Sequence, residues 1–390
     1  MEMKTYFKKY TRYLDYPLLF VYIALTLFGL IMIYSASMAW SVNYYDDAPN
    51  RFYIQQLMNL AFAFPAFAVA SIFPYKHFGK KWMMKLVLAV IFIGLILVHL
   101  IGYEAGGARS WIDLGFANIQ PSEVAKVGII FYLAGVFSNK YKKGNINNLN
   151  ESIAPPVIIL TLVLLSVFLE PDLGSMMIIG AVGLSVMAAS GISIKFFAKM
   201  AGWVAVGCAV FIIPIMLFAS DIIFTEKRLG RLDAFFNPFS DELGFGLQIV
   251  NGYLAIGSGG LSGLGLGQSI QKLGYLPEPH TDFIMSVIAE ELGVLGVIFV
   301  LGGLAFIVLR GLSIAMTTKD PLARTLAAGV ASMIGIQTFV NLGGLTGLIP
   351  LTGVTLPFIS YGGTSVILLS LAMGVLMNVS MVHKFEKSKK

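Results

Sequence analysis

The stretch Tyr275-Leu-Pro-Glu-Pro-His-Thr-Asp-Phe283 puts a carboxylate, Asp282, two residues from His280, where a glycine-rich polar segment runs back into a strongly apolar one. Pro277 and Pro279 stiffen the approach, because each fixes its own φ and biases the residue before it toward extended geometry. A carboxylate held there can take a proton from a hydroxyl. The position also suits a helix cap, since Thr and Asp both accept hydrogen bonds from the N–H groups of a first turn. A cap would sit in the field of the helix dipole and be a weaker base, unless burial or Glu278 raised its pKa.

Other polar residues lie in apolar surroundings. Glu123 and Lys126 follow Gln120-Pro-Ser122 and stand three apart, so a helix starting at Pro121 puts them on one face. They read either as a self-neutralising pair or as the lining of a polar cavity reached by a headgroup. Arg109 suits bidentate binding of phosphate or pyrophosphate, with Lys227 and Arg231 as further cations. Trp111 alone reads as an interfacial anchor; beside Arg109 it is a candidate substrate contact. Glu290 and Glu291 fall about two turns into the next apolar segment, where at least one must face a cavity or a partner; Glu290 is the candidate contact. His280 is a candidate contact through its closeness to Asp282. His77, His99, His280 and His383 show no metal-binding spacing, and His99 reads as a hydrogen-bonded packing residue. The glycine-rich run 257–267 lacks both the Walker and the G-x-G-x-x-G pattern, so close backbone approach or a re-entrant bend explains it better.

The elements that must position these groups are membrane spans. Of 390 residues, 57% are hydrophobic and 12% charged, against about 25% charged in a soluble domain. Mean hydropathy is +0.80. The one cysteine, Cys208, excludes an internal disulfide. Ten segments are apolar enough to be spanning helices: 15–37, 53–74, 82–102, 121–139, 154–169, 173–190, 200–219, 283–309, 325–347 and 357–382. The expected fold is an all-α polytopic membrane protein forming one domain over 1–390. Its first span, preceded by Lys4, Lys8, Lys9 and Arg12, reads as a retained helix. With the N-terminus cytoplasmic, all basic residues but Arg51, Arg109, Lys126, Lys227, Arg228, Arg231 and Lys272 fall in cytoplasmic pieces, which predicts an N-in, C-in topology. The net charge of +6 then flanks the spans and points to membrane lipid, not nucleic acid. This topology leaves 103–120, a large loop over about 220–282, and 347–357 outside. A loop as long as the middle one is usually functional.

No Asp-x-Asp, Walker motif or Ser/His/Asp elbow occurs, so an enzyme of this kind would draw its activated substrate from the membrane. A carboxylate at the outer face with cations nearby suits attack by a hydroxyl on a lipid-pyrophosphate glycosyl donor. The same residues leave a lipid transporter open.

Motifs along nearly the whole chain resemble those of the SEDS family (shape, elongation, division and sporulation). They are Gly107-Ala-Arg-Ser-Trp-Ile112, Gln120-Pro-Ser-Glu123 with Lys126, Glu170-Pro-Asp-Leu-Gly174, Ala255-Ile-Gly-Ser-Gly-Gly260, Leu276 to Phe283, and Leu356-Pro-Phe-Ile-Ser-Tyr-Gly-Gly363. The resemblance implies a peptidoglycan glycosyltransferase that polymerises lipid II, an undecaprenyl-pyrophosphate disaccharide-pentapeptide, on the outer face of the bacterial cytoplasmic membrane. It implies that Asp282 activates the acceptor sugar's 4-hydroxyl for inverting attack. Glu123 and Lys126 match the family's cavity pair, and Arg109 matches an arginine of the first outer loop. The implied partners are a class B penicillin-binding protein transpeptidase and divisome proteins at the septum. No cofactor is required, and a divalent cation on the pyrophosphate is an optional aid. Glu-Pro-His-Thr-Asp after Tyr275-Leu-Pro is more similar to division-type (FtsW-like) than to rod-shape (RodA-like) members. Glu170, where many members carry Gln, and Thr364, where Ser is common, depart mildly. Competing readings are a lipid II flippase, in which Glu123 and Lys126 would matter most and Asp282 would be a cap, and a non-catalytic divisome scaffold. A carrier site belongs near the bilayer midplane, which favours the polymerase.

Overall fold

The computed structural model describes residues 12–105, 108–113, 115, 118–144, 154–170, 172–218, 226–239 and 244–389. Each of the ten expected apolar segments is a helix. In chain order these are α1 (Tyr16–Tyr45), α2 (Arg51–Ile72), α3 (Lys81–Ile101), α4 (Pro121–Lys142), α5 (Ala154–Leu169), α6 (Leu173–Ala189) and α7 (Ile194–Phe218). Two further helices, α8 (Glu226–Phe236) and α9 (Phe245–Gly259), precede α10 (Ile284–Thr317), α11 (Pro321–Leu345) and α12 (Gly363–Lys387). Eight are long and apolar enough to cross a membrane: α1 to α4, α7, and α10 to α12. The apolar helices α5 and α6 are shorter, at 16 and 17 residues.

Several boundaries differ from those read off apolarity. Helix α7 starts at Ile194 rather than near 200 and so takes in Lys195 and Lys199; long basic side chains extend their ends to water while their backbone stays helical. Helix α12 begins at Gly363 rather than near 357, because 350–356 and Tyr361-Gly362 are not helical. Pro321 and Pro121 each sit in the first turn of their helix, where the missing N–H costs nothing.

Helices α4, α11 and α12 form the buried centre; α11 packs on α4, α6 and α10, and α12 on α2. Helices α2, α3 and α7 ring it and turn most of their apolar side chains outward, as lipid-facing helices do. At the end of the bundle remote from Asp282, the buried Asp15 accepts from Arg310 at 3.0 Å, Lys384 at 3.0 Å and Ser380 at 2.7 Å, tying α1, α10 and α12 together. At the near end, β1 (Tyr103–Ala105), β2 (Ala108–Asp113) and β3 (Asn118–Ile119) form a small antiparallel sheet ahead of α4.

The feature that most shapes the site is a break in α10. Gly293 leaves the helix with φ 61° and ψ −155°, a conformation that side chains resist. The interrupted ladder is completed from outside the helix. Leu264 N–H and Gly265 N–H donate to the carbonyls of Glu290 and Glu291, both at 2.9 Å, and Val294 N–H donates to Leu261 O at 3.2 Å. The approach is so close that a Cβ on Gly263 would collide with the Glu291 carbonyl. The glycine-rich run is therefore a close backbone contact, as the sequence suggests, that re-satisfies the backbone of a broken apolar helix.

Candidate active site

Asp282 lies one residue before the cap of α10. The cap position is Phe283, without a side-chain cap bond, so Asp282 is not the N-cap that its sequence position allows. The carboxylate is half-buried and Oδ1 accepts from Thr281 Oγ1 at 3.1 Å. Its main chain is pinned by Asn341 of α11, whose Nδ2 donates both to Asp282 O at 2.8 Å and to Val354 O at 2.7 Å. Glu278, at φ 42°, holds the preceding turn in the left-handed region, a strained conformation for a side chain other than Asn or Asp. Thr281 N–H donates to Glu278 O and closes that turn, with Oγ1 2.8 Å from the same carbonyl as the alternative acceptor for its one hydrogen.

Burial pushes the Asp282 carboxyl up to about 6, helped by the negative charge of Glu278 and opposed by the Thr281 hydroxyl and the Arg231 guanidinium. Arg231 comes from α8, half-buried, and its Nη2 lies 3.6 Å from where a Cβ on Gly353 would stand; Asp282 Oδ2 lies 3.9 Å from the same point. Burial draws the guanidinium down, while the charges of Asp282 and Asp172 favour its protonated form. Asp172 caps α6 through Ser175 N–H at 2.9 Å, and its Oδ2 accepts from Gln120 at 3.0 Å and Ser122 at 3.1 Å. Arg231 thus links the carboxylate at the mouth of α10 to the starts of α4 and α6, which lie more than a hundred residues earlier in the chain.

The other candidates divide. Glu123 and Lys126 form a buried ion pair at 2.7 Å on one face of α4, one turn beyond the Gln120 and Ser122 that touch Asp172. Trp111 is half-buried in β2 opposite Tyr103. The backbone of Arg109 is in β2, paired with Glu104; its side chain, and those of Lys227 and Arg228, lie outside the described residues. His280 is buried, its ring 4.1 Å from that of Phe52 and 5.6 Å from that of Tyr361. Burial pushes it down to about 3, so it is a neutral packing group that shapes the segment, and its Nδ1 has no partner.

Glu290 does not join Asp282. It accepts from Ser269 Oγ at 2.5 Å and Ile270 N–H at 3.0 Å, which makes it an anchor for the glycine-rich segment and not a substrate contact. Glu291 pairs with Lys272 at 2.5 Å and accepts from Ser35 of α1 at 2.7 Å. Both acids are fully buried, and each faces a protein partner. His99 Nδ1 lies 2.7 Å from Leu95 O, the hydrogen bond expected of it, but the residue is exposed on α3 and not a packing residue.

Sequence reasoning missed Asp172, Asn341 and Glu170. Glu170 is 1% exposed with neither carboxylate oxygen bonded. Burial, with Asp172 beside it, pushes it up to about 9, so at neutral pH it is an uncharged acid, the nearest a Glu comes to the Gln common at this place in the resembled motif. Asp172 and Glu170 stood in a recognised motif, but only the fold shows what they meet.

A half-buried carboxylate titrating near neutrality, faced by a cation, can act as a general base on a hydroxyl. Comparison with known proteins agrees with the motifs. The sequence signature of the FtsW/RodA/SpoVE family, described as "Cell cycle protein", matches residues 16–385. A Bacillus subtilis (strain 168) protein named probable peptidoglycan glycosyltransferase FtsW is 45% identical over 385 residues, 98% of this chain and 94% of the relative. One of the same name from Geobacter metallireducens is 36% identical, covering 97% and 98%. The Bacillus subtilis stage V sporulation protein E is also 36% identical, covering 95% and 98%. Among solved structures, Thermus thermophilus RodA shares the fold with a TM-score of 0.64 at 24% identity, covering 95% of this chain and 96% of that one. A chain of a peptidoglycan synthase complex does so with a TM-score of 0.69 at 23% identity, covering 95% and 98%. The chain belongs to the FtsW/RodA/SpoVE family.

Proposed function

We propose that this chain, a multi-pass membrane peptidoglycan glycosyltransferase of the division type, polymerises lipid II with Asp282 as general base. Asp282 takes the proton of the acceptor sugar's 4-hydroxyl as that oxygen attacks the donor's anomeric carbon from the face opposite the pyrophosphate. The anomeric C–O bond breaks, the undecaprenyl pyrophosphate leaves with the electron pair, and the new glycosidic bond is inverted. Arg231 and, in the same outer region, Arg109 offset the negative charge that develops, without a required cofactor. The carrying observation is the Asp282 carboxylate itself: half-buried, free of any capping duty and raised to about 6.

The reading takes the ten apolar helices as spans with both termini inside, which puts Asp282, the small sheet and α8 on the outer face. Glu123 and Lys126 stand as a buried ion pair just past the Gln120 and Ser122 that hold Asp172. The partner is a class B penicillin-binding protein that cross-links the product, and the place is the septal membrane. Asp282→Asn keeps the shape of the side chain and removes the base. The purified variant is expected to stay folded and to make no glycan strands from lipid II, with or without the transpeptidase. Glycan strands at a substantial fraction of the wild-type rate would sink the assignment.

A further inference from the structure

The backbone of Asp282 is held from outside its own helix. The i→i−4 pattern of a helix would have Ser286 N–H donate to the carbonyl of Asp282. It donates to Phe283 O at 3.0 Å instead. The turn just upstream carries Glu278 in the left-handed region, so this segment does not rest in its shape unaided. Bonds from other elements hold it. Tyr361 N–H donates to His280 O at 2.9 Å, and Asn341 Nδ2 donates to Asp282 O at 2.8 Å. The second acts on the residue that carries the acid.

Asn341 stands near the C-terminal end of α11 and is 3% exposed, closed off from any substrate. The same Nδ2 donates to Val354 O at 2.7 Å. Both partners are carbonyls, which only accept, so the nitrogen and not the oxygen of the amide must face them. Its two hydrogens are thereby spent, one on the backbone of Asp282 and one on the segment 350–356.

That segment lies beside the acid. Gly353 has φ 71°, a conformation that side chains resist, and the space left by its missing side chain is bordered by Asp282 Oδ2 and Arg231 Nη2. Its neighbours press on α6 so closely that a Cβ on Gly174 would collide with Val354 Cγ2. At the start of α6 is the Asp172 whose charge acts on Arg231. One amide on α11 therefore sets both the backbone of the carboxylate and the wall next to it.

Gln337 supplies the comparison. It lies one turn earlier on the same face of α11, is fully buried, and its Nε2 donates to Thr355 O at 3.0 Å. It holds the next residue of the same segment, and among the described residues it makes no bond to Asp282.

We propose that Asn341 is a positioning residue of the polymerase site, which joins Asp282 to the segment 350–356 and keeps the carboxylate in its place facing Arg231. The assignment rests on the reading of Asp282 as the base. A reacting group displaced by about 1 Å can cost about a hundredfold in rate.

The test compares Asn341→Ala with Gln337→Ala in the full chain with its transpeptidase partner. Lipid II polymerisation is followed from about pH 4 to about pH 8, alongside thermal unfolding. Each variant deletes a buried amide and one tether of the segment, so both should unfold at a similarly lowered temperature. Asn341→Ala should also lose roughly ten- to a hundredfold in kcat, with KM for lipid II nearly unchanged. The charges acting on the carboxylate are Glu278 on its own segment and Arg231 from α8, and neither is altered. With its backbone released, the carboxylate meets more water and escapes the burial that raises it, so the acidic limb of kcat/KM should move down by roughly one pH unit. Gln337→Ala should leave that limb in place. A limb that stays put in both variants would overturn the proposal. Equal movement in both would overturn it too, because loosening of the segment alone would then suffice. If Asn341→Ala does not fold, Asn341→Ser decides by the same comparison, since its single hydroxyl hydrogen can serve only one of the two carbonyls. Polymerisation by Asp282→Asn would defeat the base reading itself. An inactive Asp282→Asn beside an unmoved limb in Asn341→Ala would defeat the positioning role alone.

Discussion

Replacing Arg231 with Gln should move the acidic limb of the pH–rate profile upward. Asp282 must be ionised to act as a base, so kcat/KM rises tenfold per pH unit below its pKa and levels off above about 6. The Arg231 guanidinium opposes the upward push of burial, so its removal leaves the carboxyl harder to ionise. Arg231 Nη2 and Asp282 Oδ2 can be no further apart than their two distances to the Gly353 Cβ position, 3.6 and 3.9 Å, laid end to end. At that limit the charges interact by about 2 kcal/mol for an effective dielectric of about 20, and by about 0.5 kcal/mol in bulk water. Those energies correspond to roughly 1.6 and 0.4 pH units. For a half-buried carboxylate the expected displacement is about one unit upward. The assay is polymerisation of lipid II by the purified variant and its transpeptidase partner, followed from about pH 5 to about pH 8. An unmoved or lowered limb, with activity depressed equally at every pH, would refute the electrostatic link and leave Arg231 a role on the substrate alone.

Glu170→Gln tests the buried acid. A carboxyl raised to about 9 binds its proton in the folded state while the unfolded chain has released it, so wild-type stability falls as pH rises from about 5 to about 9. The variant should match the wild type near pH 5 and exceed it increasingly toward pH 9 in thermal unfolding; parallel curves would show that Glu170 is ionised in the fold. Gly293→Ala forces a side chain into a left-handed conformation, against the backbone of Leu261 and Gly263. A cost of about 2 kcal/mol or more is expected, read as a lowered unfolding temperature in detergent; an unchanged value would mean that the break in α10 is not obligatory.

The hydropathy of the chain made its spans legible, since a helix in lipid must be apolar over a predictable length. Asp282 was legible because a carboxylate at the edge of an apolar segment has few explanations. The ion pair of Glu123 and Lys126 was legible because it is local, set by three residues of helix. What stayed hidden depends on distant contacts. Whether Asp282 caps its helix hinges on a single residue of helix boundary, and Phe283 takes the cap. Glu290 looked like a cavity acid until Ser269 and Ile270 arrived to occupy it. Nothing local to Asp172 announces that Gln120, Ser122 and Arg231 converge on it.

The broken ladder of α10 imposes an order on assembly. The glycine-rich segment is synthesised before α10, yet its N–H groups at 264 and 265 are meant for carbonyls that do not yet exist. When α10 enters the membrane, its carbonyls at 290 and 291 in turn lack donors within their own helix and would stand bare in a medium where that is costly. Neither element can reach its final state by itself, so the last step of inserting α10 and the docking of the loop are one event. Lys272, which must pass from water to a fully buried pairing with Glu291, makes that event all-or-none: an ammonium halfway in would have lost its hydration without gaining its partner. The carboxylate proposed as the base is thus placed only when the glycine-rich segment has closed onto the broken α10.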